Sequence, residues 1–244
     1  MKLHVTIAAA LCLVATALHA ADKPKAQGDP RAAALMAEGS KTRYVWSPEV
    51  TAVTGSFTWD MDGKSGSGTF HDVFHKRGGF EMTGEGGAEV PEEVKEHIGS
   101  MIAHRIPPKA STKQTERAAV IVVEDDEHGP LIMTLGDPMQ STQRVKDGKL
   151  VQVNRVMGGK RFTIDVNEFD KAPEGRVYPS SFTVTWWDAA SGKRTERQVY
   201  TTQGLDTIDG QLFPKGEKVV SDKDGKTSNL EIHYSNVKFE TGSH

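Results

Sequence analysis

Cysteine is almost missing from this sequence: of 244 residues only Cys12 is one, and it lies inside an N-terminal apolar run. That run, within "MKLHVTIAAALCLVATALHAADKPK", follows Lys2 and ends in small residues at Ala20 and Ala21. It is shorter than the ~20 residues that a spanning helix needs, and polar, breaker-rich "DKPKAQGDP" follows, which is the pattern of a secretory signal peptide. Residues 1–20 are therefore expected to be a signal peptide and 21–29 a flexible linker, with cleavage after Ala20. Cys12 sits mid-run behind the bulky Leu11, which is wrong for a lipidated cysteine, so it leaves with the leader. The mature chain then has no thiol, which excludes both a disulfide framework and a thiolate zinc site.

A basic block is also lacking. The formal charge of −3 becomes −4 when Lys2 leaves, so bulk attraction to nucleic acid or an anionic surface is disfavoured. Beyond the leader no run is long and apolar enough to span a membrane, so no transmembrane segment is expected in the mature chain. Catalytic and cofactor motifs are missing as well. "GKS" at Gly63 and "GKT" at Gly225 end like a phosphate-binding loop, but Thr58 and Val220 stand where that motif needs glycine. "GSG" at Gly66 lacks the spacing of a nucleophile elbow, and there is no HExxH and no Asn-x-Ser/Thr sequon. No cofactor or metal is called for. His71 and His75 in "TFHDVFH" share a strand face in this reading, yet four strand positions span roughly 13 Å, too far for one ion.

What is present is turn chemistry between alternating stretches. "DG" recurs after Met61, Lys146, Ile208 and Lys223, with "SG" at Ser191, and glycine accepts positive φ without strain. This spacing signals an antiparallel meander, and no βαβ rhythm supports a parallel sheet. Two helices are expected. Asp29 caps a run opening with Pro30, and "PEEVKEHIGSMIAHRIPP" starts at Pro91, stops by Pro107, and gathers Val94, Ile98, Met101, Ile102 and Arg105 on one side. The predicted fold is mainly β (α+β): one large curved antiparallel sheet or half-barrel of roughly ten strands, forming a single domain over residues 30–240. The N-terminal helix and the second helix, near residues 91–105, pack on it.

The stretch "LVQVNRVMGGKRFTIDVNE", Leu150 to Glu168, alternates, turns on Gly158 and Gly159, and alternates again. A two-residue turn sets Met157 opposite Lys160, Arg155 opposite Phe162 and Val153 opposite Ile164, so one face is apolar through its centre. The other face, with Asn154 opposite Thr163 and Gln152 opposite Asp165, is mainly polar. Arg155 is thus expected to point inward beside Phe162, where stacking alone does not satisfy five donors. It needs an internal acid, carbonyls, water or a bound anion. "SSFTVTWWD" puts Phe182, Val184 and Trp186 on one face and Trp187 on the other, and the phase change in "LEIHYSNVKF" predicts a bulge near Asn236.

"QVNRVMGGKRFTIDVNE", "MIAHRIPP" and "TRYVWS" resemble the uncharacterised family called domain of unknown function 3386, over about Ala32 to Phe239. Arg155, Met157 and Gly158 match its turn motif, and His104 with Arg105 a His-Arg pair ending the helix; Gly159 and the secretory leader depart from it. The resemblance implies a shared fold unit and no established activity. By architectural analogy, the expected outline is also similar to half-barrel carriers that shuttle lipoproteins across the periplasm.

Three functions are weighed. The first is an exported, periplasmic or extracellular protein binding an apolar or lipid-like molecule on the concave face, with Arg155, His104 and Arg105 near its polar end and Val153, Met157, Phe162 and Trp186 along its apolar part. The second is a protein-interaction or structural module of the cell envelope, with a filled core and an exposed apolar patch around Trp187. The third is an enzyme using His104, Arg105 and Arg155 around a cleft.

Overall fold

The computed structural model describes residues 28–108 and 119–242. Residues 1–27, where a signal peptide and most of a linker are expected, lie outside the described residues.

In chain order the elements are helix α1 (Pro30–Thr42), strands β1 (Val50–Met61), β2 (Lys64–Val73) and β3 (Phe80–Gly84), and helix α2 (Glu92–Ala103). Then follow β4 (Val120–Glu124), β5 (Leu131–Thr134), β6 (Thr142–Lys146), β7 (Lys149–Met157), β8 (Lys160–Lys171), β9 (Val177–Asp188) and β10 (Arg194–Thr202). The last four are β11 (Leu205–Ile208), β12 (Gln211–Pro214), β13 (Gly216–Lys223) and β14 (Lys226–Thr241). Twelve strands form one open antiparallel sheet in the order β3-β2-β1-β14-β13-β10-β9-β8-β7-β6-β5-β4, and β11 and β12 pair separately. The strand count exceeds the sequence expectation because β3, β4, β5, β11 and β12 are only four or five residues long, too short to show alternation.

The turns follow the residue chemistry. Asp62-Gly63, Asp147-Gly148, Gly158-Gly159, Asp209-Gly210 and Asp224-Gly225 all have positive φ at both positions, the primed geometry whose twist matches that of the flanking strands. Asn236 (φ 53°) marks the expected bulge, where the register between β1 and β14 shifts across Thr54 to Ser56. Further shifts in β8 after Val166 and in β7 opposite Arg144 and Val145 bend the sheet.

Directly opposed residues of antiparallel neighbours share a face. Leu230, Val219, Tyr200, Phe182 and Val166 form one such row from β14 to β8. Val184, Ile164, Val153, Gln143 and Ile132 continue the same face from β9 to β5. Both helices lie on this inner face. α2 buries Val94, Ile98, Met101 and Ile102 against Phe57, Phe70, Val219 and Ile232, with Trp46 and Phe213 completing the cluster. α1, capped by Asp29 accepting from Arg31 N (2.8 Å), packs Ala32, Leu35 and Met36 on Ile132, Val145 and Leu150.

Candidate functional site

The hairpin of β7 and β8 has the register expected from its alternation, from Met157 opposite Lys160 to Gln152 opposite Asp165. A polar ladder fixes its outer face: Gln152 donates to Asp165 (2.7 Å), Asn154 to Thr142 (3.1 Å) and Thr163 to Asn154 (2.5 Å). A one-residue slip would turn these groups inward, so the ladder and the apolar face specify the same register.

On the inner face the two helical clusters do not meet. Between them lies a strip made by Val153, Phe162, Ile164, Val166, Phe182, Val184 and Trp186, none of which belongs to the cluster under either helix. Phe162 packs on Trp186 (centroids 4.7 Å apart), and Phe182 stacks on Tyr200 (4.5 Å), which borders the cluster under α2. Phe162 and Val184 are nearly buried, while Val153, Ile164, Phe182 and Trp186 stay half-buried. Among the described residues the strip is covered by neither helix and stays partly open. Two depressions of about 360 and 400 Å³ lie elsewhere, between Lys193 and Gly225 and beside Trp59.

Met157 does not line this strip. It is 54% exposed at the hairpin tip, beyond Asn154, where β6 stops pairing with β7. Arg155 stands directly opposite Phe162, as the alternation requires, and the Phe162 ring packs on Trp186. His75 also departs from the sequence reading: β2 ends at Val73, and His75 sits in a turn with φ 60°.

Arg105 and Arg43 meet the start of β9, at Tyr178 and Val177, before the strip residues of that strand. α2 stops at Ala103, short of Pro107, with His104 as its cap and Arg105 turned back by a bond from its N to Ile102 O (2.9 Å). Arg105, 9% exposed, donates from Nη1 to Met101 O (2.6 Å) and from Nη2 to the Tyr178 hydroxyl, with its guanidinium carbon 4.3 Å from that ring's centre. Burial, first of all, pushes the Tyr178 hydroxyl up to about 12, against the pull of Arg105. Arg43 bridges Val177, next to Tyr178, and its pKa is lowered by desolvation and by Arg105. Sequence reading missed Arg43; its place beside Val177 depends on a bridge that no local pattern announces.

His104, exposed at the end of α2, is bonded back to the helix that it caps. Its ring Nδ1 lies 2.7 Å from Ser100 O, which makes that nitrogen the protonated one of the neutral ring. Although its ring is exposed, desolvation by surrounding atoms lowers its pKa, and Arg105, Arg43 and Arg155 lower it further, against the Ser100 bond that raises it. Among the described residues no carboxylate pairs with Arg43, Arg105 or Arg155, and the Nε atoms of Arg105 and Arg155 are buried without a hydrogen-bond partner. Gln143 Oε1, on the same face as Arg155 and one strand away, is likewise buried and unpaired. The acids acting on these arginines are already engaged. Glu217, buried on β13, accepts from Tyr234 (2.9 Å) and lies 2.9 Å from His97 Nε2, and Asp137 accepts from Met139 N and Ser141 N (both 3.1 Å).

The sequence from residue 27 to 239 matches the family described as a protein of unknown function, DUF3386. The chain belongs to this family. A search of the curated proteins finds no match. Among solved structures the DUF3386 chain is similar to a DUF1329 family protein from Desulfovibrio piger, at 9% identity and TM-score 0.31, covering 89% of this chain and 95% of that one. It is similar also to a LolA superfamily protein from Nitrosomonas europaea (8%, TM-score 0.32, 87% and 94%). A third is a proposed outer membrane lipoprotein-sorting protein domain from Vibrio parahaemolyticus (8%, TM-score 0.33, 86% and 93%). None of these likenesses assigns a ligand.

Proposed function

We propose that this DUF3386 protein is exported and binds an apolar, lipid-like molecule on the inner face of its sheet, with the polar end of the ligand at Arg155. The observation that carries the reading is the strip from Val153 to Trp186, which lies between two helix-covered clusters and packs under neither. Apolar side chains left half-open in the middle of a large sheet are where an apolar ligand gains most from leaving water, about 25 cal/mol per Å² removed. Met157 drops out of the lining, and Ile164 and Phe182 join it. Export rests on the leader reading of residues 1–20. No helix of the described residues is long and apolar enough to cross a membrane.

Trp187, the centre of the alternative interaction surface, is half-buried beside Arg161, whose guanidinium carbon stands 5.0 Å from its ring centre, which favours the ligand reading. The test is titration with an apolar fluorophore, anilinonaphthalene sulfonate, on wild type and on Val184→Asp. Saturable binding lost in the variant supports the strip as the site; weak, unsaturable enhancement in both would contradict it.

A further inference from the structure

The apolar strip is polar at both borders, and the two borders differ. One row of directly opposed residues crosses the inner face from Gln143 through Val153, Ile164 and Val184 to Gln198. The next runs from Arg155 through Phe162 and Trp186 to Glu196. At the β10 border the polar groups are satisfied within the fold: Glu196 accepts from Ser221 (3.1 Å) and Gln198 from the Tyr200 hydroxyl (2.8 Å). At the border of β6 and β7 they are not. Arg155 Nε, a donor, and Gln143 Oε1, an acceptor, are both buried without a hydrogen-bond partner.

We infer that the strip takes an amphiphile whose head group carries a hydrogen-bond donor beside its acceptor, with Arg155 holding the acceptor and Gln143 Oε1 the donor; this rests on the apolar-ligand reading above. Gln143 stands opposite Val153, so Arg155 is its diagonal neighbour across β6 and β7. Such neighbours have Cα atoms about 7–8 Å apart, a gap that two long side chains close onto one head group. The oxygens of Asp137, in the turn before β6, are taken up by Met139 N and Ser141 N (both 3.1 Å). An ionised carboxylate alone answers Arg155 but sets oxygen against Gln143 Oε1, and neither of those can donate. A buried acceptor left unmet is costly, so the site discriminates by what the wrong ligand lacks. A carboxylate with an adjoining amide N–H, as in an N-acyl amino acid, or with an adjoining hydroxyl, as in a hydroxy fatty acid, meets both groups.

Isothermal titration with N-dodecanoylglycine and N-dodecanoylsarcosine tests this directly, because the second differs only by an N-methyl group that removes the amide donor and keeps the carboxylate. The expected result is that the glycine compound binds wild type about tenfold or more tighter. Gln143→Leu should bring the two affinities together, and Arg155→Met should weaken both. Comparing 2-hydroxydodecanoate with dodecanoate separates the sources: a preference for the hydroxy acid, with none between the amides, would uphold the donor and make it a hydroxyl. Equal affinity within both pairs, or a preference that persists in Gln143→Leu, would overturn the assignment and leave the apolar site standing. The wild-type comparisons decide the matter even where the variant does not fold. Failure of every dodecyl compound to bind would overturn the apolar reading itself.

Discussion

His97 Nε2 lies 2.9 Å from Glu217 Oε2, joining α2 to β13 inside the core. Both side chains are more than nine-tenths buried, and His97 stacks on Tyr200 at 5.5 Å. Removing one partner of such a pair strands the other in low dielectric, where breaking a buried pair costs about 3 to 5 kcal/mol. His97→Leu should therefore lower stability by about 3 kcal/mol in urea unfolding, and His97→Leu with Glu217→Leu should recover much of the loss. Equal loss in the double variant would mean that the pair is not what holds α2 down.

The pH response of stability follows from two depressed pKa values. Burial alone would raise Glu217, but the charge and hydrogen bond of His97, the field of Arg105 and the Tyr234 hydroxyl hold it below the usual carboxylate range. A carboxylate with a lowered folded pKa stabilises the fold above its unfolded pKa, and that contribution is lost as pH falls through the folded value. His104, though exposed, is lowered by desolvation and the neighbouring arginines, so its unfolded form binds the proton more readily and stability also falls as pH drops below 6.5. Thermal melts should decline on the acid side in two stages, the milder first. His104→Ala should remove the earlier stage alone, and a melt unchanged by that substitution would contradict its assignment.

Arg155 has a buried Nε with no hydrogen-bond partner and forms no ion pair among the described residues, although Asp137 lies within its field. Arg155→Met removes an unmet donor, so melting temperature should hold or rise, while affinity for an anionic amphiphile falls about tenfold or more, the worth of a charge-assisted hydrogen bond. A marked loss of stability with affinity unchanged would assign Arg155 to the core instead.

Gly55 faces the Asn236 bulge, and a Cβ there would sit 2.7 Å from Phe70 Cζ and 3.1 Å from Val237 Cγ2. Both are buried or packed against the main cluster, so Gly55→Ala should cost about 1–3 kcal/mol through overpacking, read as a lower urea midpoint at unchanged slope. Met157→Ser, at an exposed tip, should change stability by no more than about 0.5 kcal/mol and leave ligand affinity unchanged.

Local rules carried the sequence reading a long way. The Asp-Gly pairs announced their turns, Asp29 its helix, Asn236 its bulge, and the alternation around Gly158 the register of β7 and β8. Each depends on a few neighbouring residues. What escaped needs chain segments far apart in sequence: Arg43 meeting Val177, Glu217 meeting His97, and the short strands β4 and β5, whose place is set by their neighbours. Met157 shows the intermediate case, since alternation fixes the face of a strand residue but not whether anything stands over it.

The most direct measurement is native mass spectrometry of the mature protein purified gently from the exported fraction, with organic extraction of any adduct. The account predicts a discrete additional mass in the lipid range that extracts into organic solvent and is depleted in Arg155→Met. A protein that carries no adduct and acquires none on incubation with N-dodecanoylglycine would contradict it.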